Sequence, residues 1–143
     1  MSESGYSLGL VMLYARDLPR IQAFYTDVLG LEVVPEFSGP RFTFLRLDSG
    51  TPIALQDVVD LPHGLPAIPG GCELGLMVAD VDATYRAWRE RGVEMLSEIA
   101  DNGAGRFFRA RDPEGHILSV MQPHPALRAM RQRRGIDAPT SDR

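Results

Sequence analysis

Leu10-Val11-Met12-Leu13-Tyr14-Ala15-Arg16-Asp17-Leu18 reads as a strand that ends in a helix cap. It has a counterpart further along the chain in Glu73-Leu74-Gly75-Leu76-Met77-Val78-Ala79-Asp80-Val81. In each, a short apolar run stops at an aspartate suited to accept from the first free N–H groups of a helix. The fold follows from this repeat, and the flanking sequence extends it on both sides.

After the first cap, Leu18, Ile21, Tyr25 and Val28 recur at spacings of three and four and close at Gly30. After the second, Val81, Tyr85 and Trp88 do the same and close at Gly92. Each is an amphipathic helix with a glycine at its C-terminal end. Candidate strands follow at Leu31-Glu32-Val33-Val34 and Val93-Glu94-Met95-Leu96. Each half then closes in a hairpin pattern. The first arm runs from Arg41 to Leu47, turns at Asp48-Ser49-Gly50 and returns from Pro52 to Gln56; the second runs from Arg106 to Arg111, turns at Asp112-Pro113-Glu114-Gly115 and returns from His116 to Met121. Val59 to Gly71, with three prolines and three glycines, is a linker by composition. The organisation is α+β: two βαβββ modules with mixed four-stranded sheets, at about 8–58 and 72–122, followed by a tail at 123–143. A sheet with one covering helix leaves its other face bare, and two such faces are expected to enclose a cavity.

Composition narrows the function. The chain has 143 residues, 44% hydrophobic and 24% charged, as expected for a globular chain that needs no metal or disulfide staple. Its single cysteine, Cys72, cannot form an internal disulfide. There is no basic stretch followed by an apolar core at the N-terminus and no long apolar run, so a cytoplasmic location is expected, without membrane insertion. Residues 1–123 carry 10 arginines against 17 acidic groups, a balance that repels nucleic acid. The last 20 residues are basic, and Leu127 to Arg134 reads as a solvated or frayed terminus in preference to a short basic helix.

The segment Ala23-Phe24-Tyr25-Thr26-Asp27-Val28-Leu29-Gly30-Leu31-Glu32 and the turn Asp112-Pro113-Glu114-Gly115-His116 resemble the vicinal oxygen chelate superfamily. That group includes glyoxalase I, extradiol dioxygenases, fosfomycin-resistance enzymes and bleomycin-binding resistance proteins. The resemblance covers about residues 8–122 and implies the paired-module fold, with a homodimer as a common assembly. It also implies that metal-using members place His or Glu on the first and last strand of each module. The matching positions here are Leu10, Ala54, Glu73 and Ser119, of which only Glu73 is a credible ligand. One carboxylate and one hydroxyl do not make a divalent-metal site. The chain therefore looks most similar to the metal-free, ligand-sequestering branch, and no cofactor is expected.

Strand alternation extends these positions into a lining. Met12, Gln56, Gly75, Ile117 and Met121 join Leu10, Ala54, Glu73 and Ser119. A two-residue turn at Ser49-Gly50 pairs Leu45 with Ala54 and Thr43 with Gln56, which adds both, and the repeat then nominates Phe108 and Ala110. An apolar, methionine-containing surface with a few polar groups suits a small organic ligand or natural product. Glu73, a carboxylate among Leu, Met and Phe, is placed to act as acid, base or cation partner, against the alternative that it points into water or pairs with a nearby arginine. His63, His116 and His124 read as surface or turn residues, Cys72 as an inert thiol, and Phe24, Tyr25 and Trp88 as core. Arg46 and Arg109 fall on the parity opposite the lining and read as solvated or salt-bridged. Three functions remain: a metal-independent small-molecule binding protein of the sequestering type; a lyase or isomerase with Glu73 as general base; and a non-catalytic accessory or regulatory domain. The first leads, because only one clear ionisable candidate lines the site.

Overall fold

Asp17 and Asp80 start helices. In the computed structural model, Asp17 Oδ1 accepts from the Arg20 amide at 3.2 Å and Asp80 Oδ1 accepts from the Ala83 amide at 3.0 Å. The structure describes residues 5, 8, 10–48, 50–60 and 68–136; His63 and Ser49 lie outside them, as do most of the linker and residues 137–143. The chain divides into two units, Met1–Pro69 and Gly70–Arg143.

The first unit runs β1 (Val11–Ala15), α1 (Leu18–Ala23), β2 (Glu32–Val33), β3 (Phe42–Arg46) and β4 (Ile53–Asp57). Its sheet has the order β1-β4-β3-β2, with β1 parallel to β4 and the other pairs antiparallel. Leu13, Ala15, Ile21, Tyr25, Leu45 and Leu55 form its core. The helix is shorter than its periodicity predicts. After Ala23 it widens into a π-helical turn, Phe24–Val28, where the Thr26 hydroxyl donates back to the carbonyls of Gln22 and Ala23. That turn buries both of the adjacent rings Phe24 and Tyr25.

The second unit runs β5 (Glu73–Met77), α2 (Val81–Glu90), β6 (Glu94–Met95), β7 (Ala100–Asp101), β8 (Gly105–Arg111), β9 (Ile117–Pro123) and α3 (Pro125–Arg133). Its sheet has the order β5-β9-β8-β6, with β5 parallel to β9, and β7 also pairs with β8. The α+β class and two mixed sheets are thus observed, but the second sheet has five strands, not four. The extra strand arises because β8 is seven residues long and outreaches the two-residue β6, leaving room for Ala100 and Asp101 beside Phe107 and Arg106. Trp88 packs edge-on to Phe108 and is buried as expected.

Two further expectations are corrected. The segment read as frayed is helix α3, started by Pro125, whose missing amide costs nothing at that position, and ended by Arg131 and Arg133 against the negative end of its dipole. His116 is a turn residue but not a surface one. It is buried, its Nδ1 lies 2.8 Å from Asp112 Oδ2, and Asp112 Oδ1 accepts from the Glu114 and His116 amides. The Asp-Pro-Glu-Gly-His turn is therefore tied internally by one carboxylate.

Among the described residues, no helix is long and apolar enough to cross a membrane.

Candidate functional site

Residues paired across a sheet share a face, so register decides which side chains each sheet presents on the side away from α1 or α2, the helix-free face in that sense; α3 adjoins the second sheet at β9. In the first unit, Phe44 pairs with Ala54 and Leu45 with Ile53, one residue out of step with the expected Leu45–Ala54 pairing. The pairing is shifted by one residue from the one that a two-residue turn predicts, and one step of register exchanges every face. Thr43 and Leu45 accordingly move to the helix-packed side, where Leu45 is buried and the Thr43 hydroxyl donates to Gln22 Oε1 of α1 at 2.7 Å. The helix-free face carries Met12, Tyr14, Phe42, Phe44, Ala54 and Gln56, with Leu10 just ahead of β1. Gln56 is not a loose handle: its amide donates to the carbonyls of Arg41 and Asp57. Arg46 belongs to this face as well, paired with Glu32.

In the second unit Phe108 and Ala110, the repeat counterparts of Thr43 and Leu45, lie on the helix-packed side as well. Phe108 pairs with Val120 and Ala110 with Leu118, and the Phe108 ring meets Tyr85 and Trp88 of α2 edge-on at 5.2 and 5.5 Å. Both are core. The helix-free face instead presents Phe107, Arg109 and Arg111 from β8, Ile117, Ser119 and Met121 from β9, and Glu73, Gly75 and Met77 from β5. Arg109 stands directly across from Ser119, contrary to the parity assigned to it.

This face is accessible and polar at its centre. Arg109 Nε donates to Glu73 Oε1 at 2.8 Å, with the two side chains 46% and 48% exposed. The Arg109 guanidinium also lies over the Phe107 ring, 5.1 Å from its centroid. The image of Glu73 as an isolated carboxylate among apolar groups is therefore replaced by an ion pair whose guanidinium lies over the Phe107 ring. Arg111 repeats the arrangement two residues on, with Nη1 donating to Glu94 Oε2 at 2.9 Å. Phe107, Arg109 and Arg111 are the residues that the expected register missed. The alternation Phe108-Arg109-Ala110-Arg111, apolar then polar, is the signal that would have found them.

The residues do not fit a resident metal. In the first unit, Leu10 and Ala54 bring no donor atom, and in the second Glu73 is held by a guanidinium and Ser119 adds a lone hydroxyl. Among the described residues no group of three His, Cys, Asp or Glu side chains converges. His124 is occupied with Asp101, 2.8 Å from Nε2 to Oδ2. Burial, and secondarily the Asp112 carboxylate, push the Cys72 thiol above its ordinary pKa, which disfavours the reactive thiolate.

Comparison with known proteins agrees with this architecture. The model of the Glyoxalase/Bleomycin resistance protein/Dioxygenase superfamily matches residues 7–120. The phenazine antibiotic resistance protein EhpR of Enterobacter agglomerans is 26% identical over 117 residues, spanning 78% of this chain and 88% of that protein. A glyoxalase/bleomycin resistance protein/dioxygenase from Nocardioides superposes with a TM-score of 0.70 at 23% identity, covering 87% of each chain. TnmS3, an antibiotic binding protein from Streptomyces sp. CB03234, superposes with a TM-score of 0.68 at 23% identity, covering 86% of this chain and all (100%) of that one.

Proposed function

The chain belongs to the Glyoxalase/Bleomycin resistance protein/Dioxygenase superfamily, and from that premise we propose that it is a metal-independent binding protein for a small organic molecule of the antibiotic class. The observation that carries the reading is the helix-free face of the second sheet. Phe107, Met77, Met121 and Ile117 offer apolar contact around a few polar features, the Glu73–Arg109 pair at their centre with Ser119 and the Arg111–Glu94 pair beside it. Apolar walls with a few placed polar groups are the ordinary make-up of a small-ligand site, and thioethers adapt to irregular ligands. The likeness to a phenazine antibiotic resistance protein supports the same reading, and TnmS3 illustrates that this fold serves in an antibiotic binding protein. Because Arg109 holds the Glu73 carboxylate, the arrangement supports an orienting role over that of a general base. The reading also takes the protein as a homodimer: among the described residues, β1 and β5 end their sheets with no strand on the outer side, and such edges call for cover.

The test is a melting-curve screen in EDTA with planar aromatic antibiotics, phenazines included. A ligand present at about 100 times its Kd stabilises by about 2.7 kcal/mol. For a chain of this size that raises Tm by about 5–10 °C. A shift that arises only after Zn²⁺, Ni²⁺ or Fe²⁺ is supplied contradicts the proposal.

A further inference from the structure

Arg109 is positioned but only partly used. Its backbone amide donates to Ser97 Oγ at 3.0 Å and its carbonyl accepts from the Leu96 amide at 2.8 Å, which fixes this point of β8 from outside the β8–β9 ladder. Its side chain is held by Glu73 through Nε and by the Phe107 ring. Among the described residues, no hydrogen bond reaches either terminal amino group. A guanidinium carries five N–H donors, so four of them are left on a half-exposed, pre-oriented group.

Arg106, three residues earlier on the other face, shows the contrast. It spends both terminal nitrogens on Asp82, at 2.6 and 3.0 Å, and forms a closed bridge between β8 and α2. Arg109 leaves that same edge of the fork open. Arg111, next along the helix-free face, is likewise held by one nitrogen. Space is available beside them. Gly75 is the β5 residue in register with Ser119, itself across from Arg109, and a Cβ added at Gly75 would meet no atom within 4 Å.

We infer that the ligand of this face is a planar molecule bearing an anionic group, a carboxylate in its simplest form, which the open edge of the Arg109 guanidinium receives while the ring lies over Gly75 and Ser119. The inference rests on the reading of this face as a small-molecule site and adds its charge class. An anion takes the four donors that Glu73 leaves free on Arg109, whereas a cation finds only what Arg109 leaves of a carboxylate whose Oε1 already accepts from Nε. Glu73 then acts as the positioning residue for Arg109. The fork matches the two oxygens of a carboxylate, and such charge-assisted bonds are short and strong.

The experiment compares phenazine-1-carboxylate with its neutral near-isostere phenazine-1-carboxamide by calorimetric titration at neutral pH. Both are measured on the whole chain and on Arg109→Gln. The wild-type protein is expected to bind the carboxylate about tenfold to a hundredfold more tightly than the amide. Arg109→Gln is expected to remove that preference, with the carboxylate losing more affinity than the amide. Equal binding of the two probes by the wild type overturns the anion assignment and leaves the small-molecule reading standing, and this comparison needs no variant. A preference that survives in a folded Arg109→Gln overturns it as well. Failure of both probes to bind the wild type at their solubility limit overturns the inference together with the reading beneath it.

Discussion

Phe107 and Phe108 are neighbours in β8, and alanine substitution at each gives opposite results if the register is as described. Phe108 is fully buried and meets Tyr85 and Trp88 edge-on. Removing it leaves a cavity under α2, for which a Phe→Ala change costs about 3–5 kcal/mol. The two edge-to-face pairs place the loss in the upper part of that range. Phe107 sits on the helix-free face, is only partly buried, and contacts the Arg109 guanidinium. Its truncation removes part of one ring's burial and one exposed cation–π contact, about 1 kcal/mol in all. Urea denaturation followed by tryptophan fluorescence reads both, because the chain's single tryptophan, Trp88, reports directly on the Phe108 environment. Phe108→Ala is expected to lower the midpoint strongly at little change in slope, and Phe107→Ala to lower it slightly while weakening ligand binding. If Phe107→Ala is the more destabilising of the two, the faces of β8 are assigned the wrong way round, and the site falls with them.

Hydrogen bonding from Arg106 holds the Asp82 carboxyl below its ordinary range, and a carboxylate of this kind stabilises the fold above about pH 4 and ceases to as pH falls through its lowered value. Asp82→Asn is therefore expected to lower Tm at pH 7 and to make little difference near pH 2, as melting curves across that range will show. Gly105→Ala is expected to cost about 1–3 kcal/mol, since its Cβ would lie 2.5 Å from the Gln122 carbonyl oxygen, whereas Gly75→Ala, facing open space, is expected to leave the denaturation midpoint unchanged or slightly raised. Asp112→Ala strips the partner from the His116 ring and from two turn amides, and a loss of about 3 kcal/mol or more in chemical denaturation is expected.

The repeat was legible because its signals are local. An aspartate at the end of an apolar run caps a helix whatever the rest of the chain does, and both Asp17 and Asp80 do so. Face assignment depended on less local information. In Phe42-Thr43-Phe44-Leu45 apolar side chains fall on both parities, so alternation is silent and the faces hang on where the turn pivots. The register then depends on the length of the connection between the two strands, which the strand residues do not dictate. The repeat transfers the same register to Phe108, although Arg109 and Arg111 mark the solvent-facing parity of β8. The role of Arg109 was hidden for a related reason: its partner Glu73 is 36 residues away in sequence and comes alongside only through the β5–β9–β8 order. Burial of His116 had one trace in the sequence, the aspartate four residues ahead of it, which reads equally well as turn chemistry.

Methyl spectra of the protein labelled at methionine test the central claim most directly. Met77 and Met121 lie on the helix-free face of the second sheet, and Met95, in register with Ala110, lies on the opposite one. In EDTA, titration with phenazine-1-carboxylate is expected to shift the Met77 and Met121 resonances progressively and to leave Met95 in place. Shifts centred on Met95, or shifts at Met77 and Met121 that require an added divalent metal, would contradict metal-independent binding at this face.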